Sequence, residues 1–255
     1  MKQSHKMVIL IPARMAASRL PNKPMADIHG KPLIEHVWNQ AVSSDIAPVY
    51  VATDHQDIYD HITSIGGKAV MTRADHPSGS DRIFEALCRI DEDGHYQHII
   101  NLQGDLPTIT AEAISALASL LRDESCDLAT LVAKASAEEA VKSQIVKAVM
   151  NWDIHEDGST AKTGRAHYFS RLAVPYEAEE FWHHIGLYGW QRGALEQFVK
   201  CPPSSWELCE KLEQLRAIQA GMIIKAARIE DAPGGVDTPE DLEAIRQIMH
   251  KSNKI

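Results

Sequence analysis

Cysteine is scarce in this sequence. The 4 cysteines among 255 residues, Cys88, Cys126, Cys201 and Cys209, are scattered and form no Cys-x-x-Cys pair. This pattern favours neither a disulfide framework nor a structural zinc site, and it is typical of free thiols in a reducing cytosol. The apolar run before Pro12 is too short for a signal peptide core or a membrane span. We therefore expect a cytoplasmic protein without a membrane partner.

Runs of basic residues are also missing. The net charge is -9, and lysine and arginine form no continuous run, which argues against nucleic acid or a membrane surface as the main partner. A small phosphorylated ligand needs only local positive charge, so it is compatible with the negative net charge of the chain. Apolar residues make up 44% of the chain, enough for the core of one large α/β domain or of a domain with a smaller lobe.

Short apolar runs alternate with helical patterns in the first half of the chain. Strands are predicted at residues 7–11, 48–52, 69–71 and 98–102, and helices at 33–43, 56–65 and from about residue 81. This alternation predicts an α/β fold with a mostly parallel sheet covered on both faces.

In the second half of the chain, apolar runs and helical patterns do not alternate regularly. Strands are predicted at residues 128–132, 145–150, 166–169 and 223–229, and one helix at 205–220. We expect a smaller, partly antiparallel lobe near residues 128–200 within one domain that spans residues 1–255.

The loop after the first predicted strand is rich in basic residues and proline. It carries Arg14, Arg19, Lys23 and Lys31, with no acidic residue before Asp27. Ligands of open α/β sheets bind beyond the carboxyl ends of the strands, where this loop begins. We interpret it as a cationic clamp for an anion; the alternative is a solvated basic loop.

Two further loops are expected at the same sheet edge. Residues 72–82 combine small hydroxyls and glycine before a helix, a pattern suited to reading a base or a sugar. Asp105 follows the strand predicted at 98–102, where a divalent metal ligand is useful. The alternative for Asp105 is an ordinary turn-forming aspartate.

A second acidic candidate lies before the last predicted helix. Thr238, Pro239 and Asp241 form a helix start, with a hydroxyl N-cap followed by proline at the first helical position. Asp237 precedes the cap and is not required by it. We therefore interpret Asp237 as a second metal carboxylate facing Asp105.

Polar residues in the second half have both functional and structural interpretations. His184 is suited to bonding a sugar hydroxyl or to a structural role. Arg171 is suited to a sugar carboxylate or to an ion pair between lobes. Glu207, Glu210 and Glu213 recur every third residue, so on one helix they share a face, which in most proteins is simply solvated.

Several motifs occur in a fixed order along the chain. They are Pro12-Ala13-Arg14, Arg19-Leu20-Pro21-x-Lys23-Pro24, Val51-Ala52-Thr53-Asp54, Thr72-Arg73-Ala74-Asp75-His76, Ser78-Gly79, Gln103-Gly104-Asp105-x-Pro107, Tyr168-Phe169-Ser170-Arg171, His184-Ile185-Gly186-Leu187-Tyr188-Gly189, Leu212-Glu213-Gln214-Leu215-Arg216 and Gly235-Val236-Asp237-Thr238-Pro239-Glu240-Asp241-Leu242. Together they resemble the motifs of the CMP-Kdo synthetases, which are 3-deoxy-manno-octulosonate (Kdo) cytidylyltransferases. The resemblance spans nearly the whole chain, and several motifs in order make chance similarity implausible.

The resemblance implies a Rossmann-like nucleotidyltransferase fold and a homodimer, with sugar binding and dimerisation by the lobe near residues 128–200. It also implies transfer of CMP from CTP to Kdo with Mg²⁺ for lipopolysaccharide synthesis. It implies catalytic roles for Arg14, Lys23 and Asp105, and metal binding by Asp105 and Asp237. The implied nucleotide-binding residues are Pro12, Ala13, Arg14, Lys23, Arg73, Ser78, Gly79, Ser80 and Gln103. The implied sugar-binding residues are Arg171, His184, Tyr188, Glu210 and Glu213.

Two positions depart from the family's pattern. Leu106 replaces the glutamate of Gln-Gly-Asp-Glu-Pro, and His183 stands where arginine is common. The acceptor is therefore less well defined than the reaction, and an 8-amino Kdo analogue or a sialic acid stays open. A hypothesis from another class is a non-catalytic, nucleotide-binding regulatory protein that kept the fold. The presence of Lys23 together with both aspartates argues against it.

Overall fold

The computed structural model describes residues 6–16 and 19–252 and divides into two compact units. The first unit holds the residues up to 114 and those from 233 onward, and the second holds residues 115–232. The predicted lobe near 128–200 lies inside the second unit, which extends beyond it at both ends. Residues 17 and 18 of the predicted clamp loop lie outside the described residues. In the part of the chain that is described, each helix is too short or too polar to cross a bilayer.

The first unit is built around parallel strands. Its strands are β1 (Met7–Ala13), β2 (Asp27–Ile28), β3 (Lys31–Pro32), β4 (Val49–Thr53), β5 (Lys68–Met71) and β6 (His98–Asn101). The order β5-β4-β1-β6 is parallel at every step. Residues 8–11 of β1 are fully buried, as expected for a central strand covered on both faces. The predicted parallel sheet therefore describes this unit.

The helices of the first unit follow the predicted pattern, except that the fourth was not predicted. They are α1 (Leu33–Ser43), α2 (Gln56–Ser64), α3 (Gly79–Ile90), the start of α4 (Ala111–Leu120) and α9 (Pro239–Ser252). The hydroxyl of Thr238 accepts a hydrogen bond from the backbone N–H of Asp241 at 3.2 Å, and the Asp241 carboxylate accepts one from the N–H of Thr238 at 2.9 Å. This reciprocal cap confirms the predicted start of α9.

The clamp loop is shaped by local structure that was not predicted. One 3-10 turn spans Lys23–Met25, and β2 and β3 form a hairpin directly after it. The two turn residues, His29 and Gly30, have φ values of 53° and 83°, which suits a tight two-residue hairpin turn. Lys31 bonds to Glu35 at 2.9 Å, so it belongs to the hairpin and α1.

The second unit contains a mixed sheet. Its elements are the end of α4, β7 (Leu128–Ala135), α5 (Ala137–Ala140), β8 (Lys147–Ile154), β9 (Thr160–Ser170), β10 (Phe181–Gln191), α6 (Arg192–Lys200), α7 (Ser205–Glu210), α8 (Gln214–Gln219) and β11 (Ile224–Ile229). The strand order is β10-β7-β11-β9-β8, with β7 and β11 parallel and the other neighbours antiparallel. The partly antiparallel sheet predicted for this part of the chain is therefore observed.

The predicted helix over residues 205–220 is two helices. Lys211, which follows α7, has φ 58° and ψ 44°, a left-handed conformation that cannot continue a helix. The chain resumes at α8, with Glu213 immediately before it. The prediction that Glu207, Glu210 and Glu213 share one helix face was therefore wrong.

Candidate active site

One cavity in the first unit gathers most of the predicted nucleotide and metal residues. It has a volume of about 270 Å³. The predicted residues that line it are Pro12, Ala13, Arg14, Lys23, Ser78, Gly79, Gln103, Asp105 and Asp237. The clamp, both predicted loops and the segment before α9 therefore meet at one place.

The strand ends explain why these distant segments meet. β1 and β6 are parallel neighbours, so the residues after them emerge at the same sheet edge. A Cβ on Gly104 would lie 2.8 Å from the carbonyl oxygen of Pro12, closer than real Cβ contacts. Glycine at position 104 thus lets Asp105 follow β6 right beside the clamp.

The amino end of α3 forms another wall of the cavity. The hydroxyl of Ser78 accepts a hydrogen bond from the backbone N–H of Asp81 at 3.2 Å and so caps the helix. A Cβ on Gly79 would lie 3.4 Å from Pro12 and 3.7 Å from the amide oxygen of Gln103. Gly79 therefore lies next to Pro12 and Gln103, and a larger side chain there would reduce the space in the cavity.

Lys23 links the two candidate metal carboxylates. Its Nζ donates to Oδ2 of Asp105 at 2.9 Å and to Oδ1 of Asp237 at 3.0 Å. The second oxygen of Asp237 accepts from Nη2 of Arg19 at 3.1 Å. Two cations and two carboxylates therefore form one ion cluster between segments more than 80 residues apart in sequence.

The charge of Lys23 is stabilised by this cluster. Burial by itself would lower the pKa of the ammonium, but the attraction and hydrogen bonds of Asp105 and Asp237 outweigh burial and raise the pKa above its ordinary value. Lys23 is therefore a permanent cation at neutral pH.

The donor set of the cavity fits Mg²⁺ held jointly with phosphate. Among the described residues, no three acidic, histidine or cysteine side chains gather closely enough to hold a metal by themselves. Mg²⁺ is commonly bound by one or two carboxylates together with substrate phosphates and water. Asp105 and Asp237 supply two carboxylates that point at one spot, so they meet this requirement.

Two cavity residues escaped the sequence prediction. Arg82, one turn into α3, is buried and donates to Thr72 at 2.6 Å and to the carboxylate of Asp54 at 2.8 Å. His76 also lines the cavity and pairs with Glu85. The signal for Arg82 was its place one helical turn after the Ser78 cap, which directs it back toward the helix start.

Two predicted nucleotide residues lie outside the cavity lining. The side chain of Arg73 is 66% exposed, and its guanidinium lies 3.6 Å from Asp75 and 3.9 Å from Glu85. Ser80 is buried, and its hydroxyl makes no hydrogen bond within the described part of the chain. Since each helical residue turns by about 100°, Ser80 faces the core while Ser78 and Gly79 face the cavity. Arg73 and Ser80 are therefore not part of the cavity wall, and nucleotide binding by them stays a prediction.

His184 lies in a buried polar network of the second unit. Its Nε2 is 3.0 Å from the hydroxyl of Thr130, and its Nδ1 is 3.4 Å from the amide nitrogen of Gln214. The hydroxyl of Tyr188 donates to the amide oxygen of Gln214 at 3.1 Å. Burial disfavours the charged ring, and electrostatic repulsion from His183 acts in the same direction, so the pKa of His184 is lowered to about 3. The ring is thus neutral and joins β10 to β7 and α8.

Arg171 and Glu210 form a second network in that unit. The guanidinium of Arg171 donates to the backbone carbonyls of Glu210, Ser143 and Lys211 at 2.7, 3.0 and 3.3 Å. The carboxylate of Glu210 accepts from the hydroxyl of Ser170 at 2.8 Å and from the N–H of Arg171 at 2.9 Å. These contacts tie the end of β9 to the linker between α7 and α8.

Known proteins resemble this chain over nearly its full length. A family model described as "Cytidylyltransferase" matches residues 8–226. A 3-deoxy-manno-octulosonate cytidylyltransferase of Rhodopseudomonas palustris strain TIE-1 is 50% identical over 245 residues, which cover 95% of this chain and 97% of the relative. One of Paramagnetospirillum magneticum is 46% identical over 243 residues, with 95% and 97% covered. The chain belongs to the cytidylyltransferase family.

A solved structure agrees with membership of the cytidylyltransferase family. It is CMP:2-keto-3-deoxy-manno-octonic acid synthetase complexed with CTP, 38% identical to this chain, with a TM-score of 0.86. The match covers 96% of this chain and 99% of the other. The resemblance read from the motifs is thus confirmed, and the fold is a mixed α/β nucleotidyltransferase fold. In a cytidylyltransferase, a cationic cavity beside two carboxylates is suited to a nucleoside triphosphate and a metal.

Proposed function

We propose that this cytidylyltransferase couples CTP to Kdo and yields CMP-Kdo and pyrophosphate for lipopolysaccharide synthesis. The observation that carries the proposal is the cluster in which Lys23 joins Asp105 and Asp237 in one cavity. It puts cations for a triphosphate next to carboxylates for a hard divalent cation. A protein that only senses nucleotide would need the cations but not the paired carboxylates.

The cavity residues have distinct proposed roles. Arg14, Arg19 and Lys23 bind the triphosphate, and Ser78, Gly79 and Gln103 bind cytosine and ribose. Asp105 and Asp237 hold Mg²⁺, which when bound neutralises phosphate charge and favours the ionised form of the attacking hydroxyl. Asp105 and Lys23 are thus placed at the reacting phosphate.

The reaction is an in-line displacement at phosphorus. The oxygen of the Kdo anomeric hydroxyl forms a bond to the α-phosphorus of CTP, its proton passes to solvent, and the bond from that phosphorus to the oxygen bridging to the β-phosphate breaks. Arg14 and Lys23 stabilise the negative charge that moves onto pyrophosphate. Their contribution is positioning and charge stabilisation, the main sources of rate in such transfers.

The acceptor side of the proposal rests on the sequence. Sugar binding by Arg171, His184, Tyr188, Glu210 and Glu213 stays a prediction, as do the homodimer and the cytoplasmic location. The polar atoms of His184, Arg171 and Glu210 already bond within the second unit. Sugar binding by these residues would therefore have to use their remaining hydrogen-bonding capacity or replace existing bonds.

A substrate panel tests the proposal. The protein is incubated with Mg²⁺ and each nucleoside triphosphate against Kdo, its 8-amino analogue and N-acetylneuraminate, and both pyrophosphate and CMP-sugar are measured. We expect CTP with Kdo to give the highest kcat/KM. Preference for the 8-amino sugar or for N-acetylneuraminate would overturn the Kdo assignment and keep the cytidylyltransferase one. No turnover with any acceptor would favour a nucleotide-binding regulatory protein.

A further inference from the structure

Lys23 occupies the point at which the two proposed metal ligands converge. Its ammonium lies 2.9 Å from an oxygen of Asp105 and 3.0 Å from an oxygen of Asp237. Both distances are typical of charge-assisted hydrogen bonds. The Lys23 side chain is only 17% exposed, so little water is available to replace these partners if the ammonium moves away.

The cluster as a whole carries no net charge. Arg19 bonds to the remaining oxygen of Asp237 at 3.1 Å, so two cations face two carboxylates. The carboxylates that would bind a free divalent cation are therefore already paired with Lys23 and Arg19, whose positive charges repel the cation.

We propose that Lys23 stands in for the divalent cation in the nucleotide-free protein and releases Asp105 and Asp237 to Mg²⁺ only when a triphosphate takes over its ammonium. The inference rests on the proposed function, because it requires these carboxylates to be the metal ligands. It adds an order of binding: the metal alone is excluded, and the metal with the nucleotide is accepted.

The exchange is balanced in charge. A triphosphate would offer Lys23 and Arg19 a new anion, so both cations would leave the carboxylates without becoming unpaired. The two carboxylate oxygens that now lie 2.9 and 3.0 Å from the ammonium would then be available to Mg²⁺. By linkage, nucleotide and metal each raise the affinity for the other.

Metal binding to the nucleotide-free protein tests the inference. Mn²⁺ replaces Mg²⁺ as the probe, and electron paramagnetic resonance of free Mn²⁺ gives the dissociation constant for wild type, Lys23→Met and Lys68→Met. We expect Lys23→Met to bind Mn²⁺ at least about tenfold more tightly than wild type, because two carboxylates lose their resident cation. Lys68→Met, which changes an exposed lysine on β5, should match wild type. Adding Asp105→Asn to Lys23→Met should abolish the gain and so locate the ion.

An affinity ratio near one between Lys23→Met and wild type overturns the inference, whether both bind Mn²⁺ or neither does. If Lys23→Met does not fold, the wild type supplies a second measurement. The NMR signal of the Lys23 ammonium should be unchanged by Mg²⁺ alone and shifted by CTP; an equal shift by Mg²⁺ alone contradicts the inference. Neither assay contains a sugar acceptor or needs turnover, so failure here is distinguishable from failure of the proposed transferase activity.

Discussion

Lys23 is positioned by charge and not by packing. Its backbone begins the 3-10 turn that contains the buried Pro24, and its ammonium has two carboxylate partners in the cavity. The energy of such partly exposed ion pairs is modest. The same charge next to a reacting phosphate contributes far more, because a stabilising group in a transition state is worth several kcal/mol.

The Lys23→Ala variant should therefore lose activity and keep its fold. We expect kcat/KM with CTP and Kdo to fall at least about a hundredfold, and the free energy of unfolding to change by about 1 kcal/mol or less. Steady-state kinetics and urea unfolding measure the two quantities, with Lys68→Ala as the exposed control. Losses of activity and stability of comparable size would remove Lys23 from its proposed role.

Asp105 and Asp237 should govern the Mg²⁺ requirement. Asp105→Asn and Asp237→Asn keep the side-chain shape but remove the charge that holds a hard cation. We expect the Mg²⁺ concentration for half-maximal activity to rise at least about tenfold in each variant. Asp60→Asn on the exposed surface of α2 is the control. Wild-type activity at limiting Mg²⁺ in either aspartate variant would show that the paired-carboxylate site is wrong.

At the scale of elements, the segment before α9 is attached to the loop after β6. The hydroxyl of Thr108 accepts a hydrogen bond from the N–H of Gly234 at 2.8 Å. The N–H of Val236 donates to the carbonyl of Asp105 at 3.0 Å. These two bonds hold Gly234 and Val236, which precede Asp237, against Thr108 and the backbone of Asp105, so Thr108 is a positioning residue for the carboxylate pair.

Replacing Thr108 should separate positioning from packing. Thr108→Val keeps the volume and removes the acceptor, whereas Thr108→Ser keeps the hydroxyl and serves as the matched control. We expect the Thr108→Val variant to need a roughly threefold to tenfold higher Mg²⁺ concentration for half-maximal activity. We also expect its free energy of unfolding to fall by about 1–2 kcal/mol. The Ser variant should stay near wild type in its Mg²⁺ requirement. If Thr108→Val loses stability but its Mg²⁺ requirement does not change, Thr108 has a purely structural role.

The network of β7, β10 and α8 should make stability depend on pH. The unfolded His184 takes up a proton near pH 6.5, but the buried ring does so only near pH 3. The stability it contributes is thus complete above pH 6.5 and is lost as the pH falls toward 3. Between pH 7 and pH 5 the loss from this residue should be about 2 kcal/mol.

Urea unfolding at several pH values measures this loss. Tryptophan fluorescence is a suitable probe because four of the five tryptophans, Trp152, Trp182, Trp190 and Trp206, lie in the second unit. His184→Gln should flatten the dependence on pH between 7 and 5, and the exposed control His155→Gln should not. Equal slopes in wild type and His184→Gln would show that the ring titrates normally.

At the scale of the whole molecule, we predict a homodimer. The second unit leaves large apolar side chains exposed, with Val141 at 76%, Leu172 at 73% and Tyr176 at 88%, and the family resemblance implies pairing through that part of the chain. Sedimentation equilibrium should give twice the chain mass of 28.3 kDa. A mass of 28.3 kDa at micromolar concentration would contradict the prediction.

Local pattern was enough to predict much of the first unit. Helix α1 occupies the predicted residues 33–43, β5 and β6 differ from their predictions by one residue at one end, and β4 is shifted by one residue at both ends. Buried parallel strands are short apolar runs in the sequence, so their positions can be predicted without knowing which strands pair with them. The start of α9 was equally visible, because its cap is made by neighbours in sequence.

The second unit was less predictable from pattern. The break at Lys211 was missed because a non-glycine residue in the left-handed conformation leaves no sequence signal. Helices α4 and α6 were missed as well. Whether His184 faces a ligand or the core was undecided, since histidine serves both roles.

The sequence by itself determined the segments that end at the ligand edge: which runs are strands, where the basic loop begins, and which aspartates follow a strand or precede a cap. These are local properties of burial and capping, carried by neighbouring residues. Only the tertiary structure decided that Lys23 lies between Asp105 and Asp237, residues 82 and 214 positions away. It also decided that Ser80 and His184 are buried. The physical reason is that ion pairing and burial depend on which elements are in contact in the folded protein. The hydrophobic pattern of a single strand does not determine the order of the strands in the sheet.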